Sequence, residues 1–528
     1  MRKQVLSALA FCSALGIAQA QTDVTKEYLV NPSFETLKAA DGTTDVAVKT
    51  KLESGLYGWE ISKLLDNQFS NYQVESEASG SSTGIPANGI IKPSQGEFYY
   101  FNRQGWGNVD GSELKTSTSK NLPIGTYYAV IDYKAADFSN NNDASKSGTT
   151  IGIKAENATN ELLGENTAVR RAYSTLTSNS DPYMVNAAWN ELGTMFTVTE
   201  PTTVTISLVQ NMKNSGRSDI AWDNLRLYQI ENVSENKPMD VSGLITTSNY
   251  YALGGWNIEG GNTFQVNTWS TEGEKDGSGM TTPFIQDHVG KENKAANATI
   301  SHTVNHLIPG IYEVSGLIRV LNEAGGDTPS GATLYANEGS TNACNGNPCT
   351  NGVYGTYTVK GTVGTDGVLT FGIKVANANF NWVSFKNFKL QYLGAASIEQ
   401  LQATLKEKIE EAKAYVENCP KGIAAIVNAA ITQGNSAQAT EESLNAAIAA
   451  LTQAIALAEE TAPATEAFKA LMATCQGYAS HSSAEESVKQ VFQKAMTDAQ
   501  AALDAATKTE AIQDATQALQ TACETYVL

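Results

Sequence analysis

The chain has 528 residues, 41% hydrophobic and 17% charged, and its 36 Lys and Arg against 55 Asp and Glu give a net charge of −19 at pH 7. Such a length suffices for three or more domains at about 150 residues each. The acidic surplus repels anionic membranes and excludes nucleic acid as a partner, because counterion release needs clustered cations.

Residues 1–20 read as an export signal. Arg2 and Lys3 form a positive start, Val5 to Ile17 is mostly apolar, and Ala18-Gln19-Ala20 is a small-x-small cleavage site. The apolar run is too short to span a bilayer, and no later segment is apolar enough to do so. Cys12 would suit lipid attachment, but Phe11 stands where that needs a small residue. Export places the chain in the periplasm, on the cell surface or outside the cell, where cysteines oxidise. Beyond the signal lie Cys344, Cys349, Cys419, Cys475 and Cys523, an odd set that leaves at least one thiol free or intermolecular. Cys344 and Cys349 bracket a turn-rich loop that could close on itself.

From about 27 to 232 the pattern is β. Tyr127–Tyr133 and Thr202–Val209 are β-branched and aromatic runs separated by turn clusters such as Ser139–Asp143. No long helical stretch intervenes, so an antiparallel sandwich is predicted over a βαβ sheet. Residues 135–190 read as a polar, loop-like insertion. From about 240 to 394 the texture repeats, with Ile311–Val320 and Val368–Val375 as the clearest strands. Both stretches carry Gly-Trp near the start (Gly58-Trp59, Gly255-Trp256), a Leu-Pro/Ile turn before Tyr127 or Tyr312, and a similar closing run. Those runs are Trp222-Asp223-Asn224-Leu225-Arg226-Leu227 and Phe385-Lys386-Asn387-Phe388-Lys389-Leu390. One structural unit is therefore used twice. Trp59, Trp222 and Trp256 belong to the repeated framework and are assigned to the core.

At Ser397 the period changes. Ile398, Leu401, Leu405, Ile409, Ala412 and Val416 form the apolar stripe of a helix, and Ser397 with Gln400 is a capping box. Further helices are predicted near 422–433, 441–460, 464–480, 484–506 and 509–526, with boxes at Ser483/Glu486 and Thr507/Glu510. Divided at Pro463, they make two three-helix bundles, 397–460 and 464–528. In an up-down-up bundle the ends of the first and third helices meet, which pairs Cys475 with Cys523 as a disulfide. The tail reads as a spacer or as a docking element for a protein partner.

The opening Asn31-x-x-Phe34-Glu35 and closing Asp223-Asn224-Leu225-x-Leu227 resemble those of galactose-binding-like jelly-roll sandwiches, especially carbohydrate-binding modules of the family 4, 9 and 22 group. The resemblance covers residues 27–232 and, more weakly, 240–394. It implies a polysaccharide or glycoprotein glycan as partner, first and last strands side by side, and a structural calcium carried onto Glu35 and Asp223. In the second copy Lys386 replaces Asp223, so that copy is expected to bind no calcium there. The tail resembles FIVAR-type helical spacers.

Sugar binding needs an exposed aromatic face beside polar groups. Tyr99–Trp106 offers both, and strand alternation sends Tyr100 and Asn102 to one face and Tyr99, Phe101 and Arg103 to the other. Tyr100, Asn102, Arg103 and Trp106 are the predicted contacts, the last exposed between Gly105 and Gly107. Trp269, with Phe284, Asp287 and His288, makes a second possible site. Gly80-Ser81-Ser82-Thr83-Gly84 lacks the strand and helix that a nucleophile elbow requires. His302 and His306 lie four apart in a β-like run, roughly 13 Å from each other, too far for one zinc. The reading is an exported, non-catalytic glycan-binding protein. Its rivals are a glycan hydrolase with its site in the 135–190 insertion, where no motif singles out a carboxylate pair, and an adhesive surface protein that binds protein.

Overall fold

A computed structural model of the chain describes residues 21–63, 71–77, 91–105, 109–138, 150–169, 189–212, 217–246, 253, 255–261, 264–267, 284–325, 328–337, 339–342, 354–481 and 483–527. Within these the chain is multidomain: antiparallel sheets come first, then a helical region. The expected leader and the Cys344–Cys349 loop lie outside the described residues.

The first sheet runs in the order Asn190–Val198, Gly125–Phe138, Arg217–Ile230, Phe98–Gly105, Asn71–Ser76, and Gln21–Asp23 adds to Arg217–Ile230. The second runs Gly55–Leu56, Trp59–Lys63, Val109–Ser117, Val204–Met212, Thr150–Asn157, Leu162–Val169. Inward faces of both sheets supply one core, which includes Phe34, Trp59, Leu114, Tyr127, Ile206 and Trp222. The stretch 135–190, predicted to be loop, contributes the two strands Thr150–Asn157 and Leu162–Val169. Their alternation (Ile151, Ile153, Ala155) is short and diluted by polar outward positions, which hid it.

The third sheet runs Gln265–Asn267, Phe284–His288, Trp382–Tyr392, Gly310–Leu321, Gly355–Val363, and Met239–Asp240 adds to Trp382–Tyr392. The fourth runs Asn257–Gly260, Ala298–Val304, Leu369–Val375, Ala332–Ala336, Gly339–Asn342. Their core gathers Trp256, Phe371, Phe385 and Phe388, with Trp256 5.3 Å from Phe385 and 5.8 Å from Phe388. Trp59 and Trp222 are 2% exposed and Trp256 8%, so all three are framework.

The sequence repeat is a repeat in space. Asn224 (φ 55°) and Asn387 (φ 54°) sit at matching bulges, in the left-handed region that asparagine tolerates. Tyr127 Oη donates to Pro123 O and Tyr312 Oη to Ile308 O, each at 2.9 Å and four residues back. Gln21 pairs with Ile230 and Met239 with Tyr392, first strand beside last in both copies. The copies are not beads on a linker. Tyr128, Val130 and Met195 leave the first sheet's outward face to join the second core beside Leu244, Tyr312 and Tyr392.

In the helical region, α1 (Ile398–Val416) is capped as expected: Ser397 Oγ accepts from Gln400 N and Gln400 Oε1 from Ser397 N. Next come α2 (Lys421–Asn435), α3 (Glu441–His481), α4 (Glu486–Ala505) and α5 (Thr509–Val527). The box expected from Ser483 does not form, because α4 begins at Glu486 without a side-chain cap. Helices predicted on either side of Pro463 are instead the single α3. A proline there costs about 3 kcal/mol, but Leu451, Ile455, Phe468 and Met472 keep one buried stripe running through it. All five helices share that core, so a helix belongs to both three-helix sets. Cys475 and Cys523, the pair predicted to be bonded, are buried next to each other as thiols. Burial, with the neighbouring thiol, pushes Cys475 up to about 12. Among the described residues no helix is long and apolar enough to cross a membrane.

Candidate functional site

The Asn31–Glu35 motif is a turn that buries a ring and returns a carboxylate. Phe34 takes a left-handed backbone (φ 61°), strained for a bulky residue. Burial of its ring offsets this: Phe34 is 0% exposed, stacked on Trp59 at 4.8 Å and on Tyr100 at 5.6 Å. Glu35 is thereby aimed at the loop before Phe98, where its oxygens accept from Glu97 N and Phe98 N at 3.1 Å. Gly96 takes a left-handed backbone (φ 67°), and a Cβ there would lie 2.3 Å from Glu35 Oε1, so a larger residue would strain the turn and push the carboxylate aside. From the other side, Asp223 Oδ2 accepts from Ser94 N at 2.8 Å and Gln95 N at 3.0 Å. Asp132 accepts from Ser94 Oγ and from Asn224 Nδ2, and pairs with Arg226. Glu35 and Asp223, predicted to hold calcium, thus clamp residues 94–98 through backbone amides.

Asp223 keeps one feature that a cation would answer. Its Oδ1 is buried with no hydrogen-bond partner, and burial pushes the acid up to about 8, despite the amide bonds that favour its charged form. Among the described residues no cluster of three or more His, Cys, Asp or Glu is placed to hold a metal. Lys386, at the matching position in the second copy, is 0% exposed with its ammonium 4.8 Å from the Tyr354 ring centre.

The alternation predicted for Tyr99–Arg103 holds, but Tyr100 and Asn102, two of the predicted ligand contacts, are buried. Tyr100 and Asn102 point into the space between the first two sheets. Tyr100 is 1% exposed in the core, and Asn102 Nδ2 donates to Ser112 Oγ at 3.0 Å and Gln210 Oε1 at 2.7 Å. Arg103 pairs through its backbone with Asp219 and Asn71; its side chain, like Trp106, Trp269 and the Gly80–Gly84 loop, lies outside the described residues.

The opposite, outward face of the first sheet collects polar and aromatic groups instead. Register sets Lys134 against Ala221, Ala221 against Phe101 and Phe101 against Gln73, one row across four strands. In the next row Tyr99 lies against Glu75 and donates its hydroxyl to Glu75 Oε2 at 2.7 Å, while Gln73 Nε2 donates to Glu75 Oε1. Trp189 covers this floor: its ring meets Tyr99 edge-on at 6.3 Å, the Lys134 ammonium lies 5.4 Å from its centre, and Nε1 donates to Lys92 O. Lys134 is 4% exposed and burial holds it down to about 8. Burial, then Glu75, raises Tyr99 far above its usual range. Trp189 stays half-buried. Of these groups only Tyr99 and Phe101 were named from sequence, and neither as a contact. Lys134 could have been, because it falls on the outward phase of a strand whose Tyr127, Ile131 and Tyr133 point inward.

The second copy builds the same face with different charge. Arg319 stands against Ser384, Ser384 against Gln286 and Gln286 against Gln265, matching the Lys134 row strand for strand. Arg319 lies 4.0 Å from the Trp382 ring centre and Trp382 Nε1 donates to Gln286 Oε1 at 3.1 Å. Of the residues expected beside Trp269, His288 stacks on Trp382 at 4.4 Å and Phe284 meets Tyr354 edge-on at 6.1 Å, whereas Asp287 faces inward, 0% exposed. His302 is buried, and burial favours its neutral ring although the hydrogen bond between Nδ1 and Gly255 O at 2.9 Å favours the charged one; His306 is exposed beyond the strand. The two form no metal pair.

No family model and no curated protein matches the chain. Among solved structures it is similar to the carbohydrate-binding module TmCBM61 in complex with β-1,4-galactotriose, at 13% identity over 38% of this chain and 97% of that one, TM-score 0.23. It is similar also to the tandem CBM22-1–CBM22-2 domain of Paenibacillus barcinonensis Xyn10C, at 10% identity over 72% of this chain and 99% of that one, TM-score 0.21. A cyclase from a Fischerella species is similar at 15% identity over 38% and 94% of the two chains, TM-score 0.24. Likeness at this level bears on neither fold nor ligand.

Proposed function

We propose that the chain is an exported, non-catalytic glycan-binding protein: two galactose-binding-like jelly-roll sandwiches followed by a FIVAR-like helical tail that spaces them or docks a protein partner. The ligand face is the outward side of the first sheet. Trp189 carries this reading. A half-buried indole over a floor of hydrogen-bonding groups offers a flat apolar surface for the C–H side of a sugar ring. Beneath it the buried Glu75, Gln73 and Lys134 hold the floor on which the indole rests. Glu35 and Asp223 would hold a structural calcium beside this face, where it would neutralise the buried Asp223 and brace the loop 94–98.

A glycan array with the full chain, followed by calorimetry on the best hit, tests the assignment. Trp189→Ala is expected to weaken that hit by about 2 kcal/mol, roughly thirtyfold, as for a buried aromatic anchor, with the melting point nearly unchanged. Undiminished affinity in the variant would refute the site, and release of reducing sugar from the bound glycan would refute the non-catalytic reading.

A further inference from the structure

The fourth sheet turns its outward face towards the helical region, and the two surfaces do not close on each other. At the rim a hydroxyl pair ties α1 to strand Gly355–Val363 of the third sheet, Thr404 Oγ1 donating to Thr362 Oγ1 at 3.2 Å. Between the sheet and helices α1 and α3 remains a cleft of about 420 Å³. That volume falls within the range of about 300–1,000 Å³ usual for small-molecule sites, which favour junctions between domains.

The floor is a cross-sheet row fixed by register. Asn257 stands against Ser301, Ser301 against Gly372 and Gly372 against Tyr335. The row thus reads amide, hydroxyl, gap, phenol ring. The gap is obligatory, because a Cβ on Gly372 would lie 2.0 Å from Ile300 O. Tyr335 is half-buried and its hydroxyl hydrogen-bonds with Ser301. Thr303 and Thr370, whose hydroxyls pair at 2.9 Å, extend the hydroxyl lining, and Thr452 faces it from α3.

The charge of the walls narrows the ligand. Glu259, Asp366, Glu411 and Glu459 border the cleft, and its one lining cation among the described residues, Lys408, is paired with Glu411 at 2.8 Å. An anionic ligand is repelled there. A neutral polyol gives hydroxyl donors to the carboxylates and takes bonds from Asn257 and the lining threonines. A dry apolar ligand would instead strand these polar groups without partners.

We infer that this cleft is a binding site for a short, neutral oligosaccharide, which lies along the row from Asn257 to Tyr335 and stacks a ring on Tyr335. It is separate from the Trp189 face and does not rest on it. Because one wall is helical, the tail completes a site as well as extending the chain.

Titration calorimetry of the full chain, both wild type and Trp189→Ala, against cellotetraose, mannotetraose, maltotetraose and trigalacturonate tests it. At least one neutral tetrasaccharide is expected to bind the Trp189→Ala chain. Tyr335→Ala should then weaken it tenfold or more. Thr452→Trp, which fills the cleft from an α3 position outside the sheet, should abolish it with circular dichroism and melting unchanged. Trigalacturonate should give no heat from this site. The inference is overturned if no neutral tetrasaccharide binds the Trp189→Ala chain, if binding survives Thr452→Trp, or if trigalacturonate binds as well as its neutral counterparts.

Discussion

Lys134 offers the sharpest test of the outward face. Its ammonium is 4% exposed on the floor beneath Trp189, and burial lowers it to about 8, whereas an unfolded lysine titrates near 10.4. The folded state therefore binds fewer protons than the unfolded state between about pH 8 and 10.4. Stability from this group is lowest below pH 8 and rises with pH across that window, at about 1.4 kcal/mol per unit. In total the charged form disfavours folding by about 3 kcal/mol. Lys134→Met keeps the length and apolar stem but removes the charge. At pH 7 the variant should melt higher by roughly 6–12 °C, taking about 2–4 °C per kcal/mol for a unit of this size. The gap should shrink steadily between pH 8 and 10.4, which differencing isolates from every other titrating group. Calorimetric scans of both chains from pH 6.5 to 10.5 provide the assay. A gap that is absent, or constant across the range, would refute a desolvated ammonium under Trp189.

Calcium is expected to raise the melting point of the wild type above that in chelator at pH 8 and to leave Asp223→Asn unmoved, since the amide keeps an acceptor for Ser94 and Gln95 but carries no charge; equal shifts in both chains would remove Asp223 from any such site. Pro463→Ala should stabilise the helical region by up to about 3 kcal/mol, because α3 already runs straight through that position; a lower melting point would mean that the packing depends on the proline. Peptide mapping of air-oxidised chain under non-reducing conditions should find Cys475 joined to Cys523, whose thiols already touch; both thiols alkylated in full would count against it.

Local pattern settled much of this protein. The two β stretches, the switch to helix at Ser397, its capping box and the duplicate closing runs are all encoded within windows of ten or so residues, where side-chain period and cap chemistry act directly. Asn224 and Asn387 recur at one place in those runs, but nothing local marked them as bulges. What local pattern could not decide was which face of a strand looks outward. Alternation separated Tyr100 and Asn102 from Tyr99, but inward and outward are set by where the second sheet lies, and Ser112 and Gln210, which receive Asn102, come from that sheet. The same holds for Glu35 and Asp223, far apart in sequence yet clamping one loop, and for Trp189, brought over Lys134 only by the sheet's order. Pro463 is a further case: a strong local breaker is overridden when a buried stripe on both sides of it joins one core. Short-range period and the Ser397 cap were determined by sequence alone. The partners of buried polar groups were decided by tertiary structure, because a hydrogen bond or a desolvated charge depends on atoms that only the folded chain brings within reach.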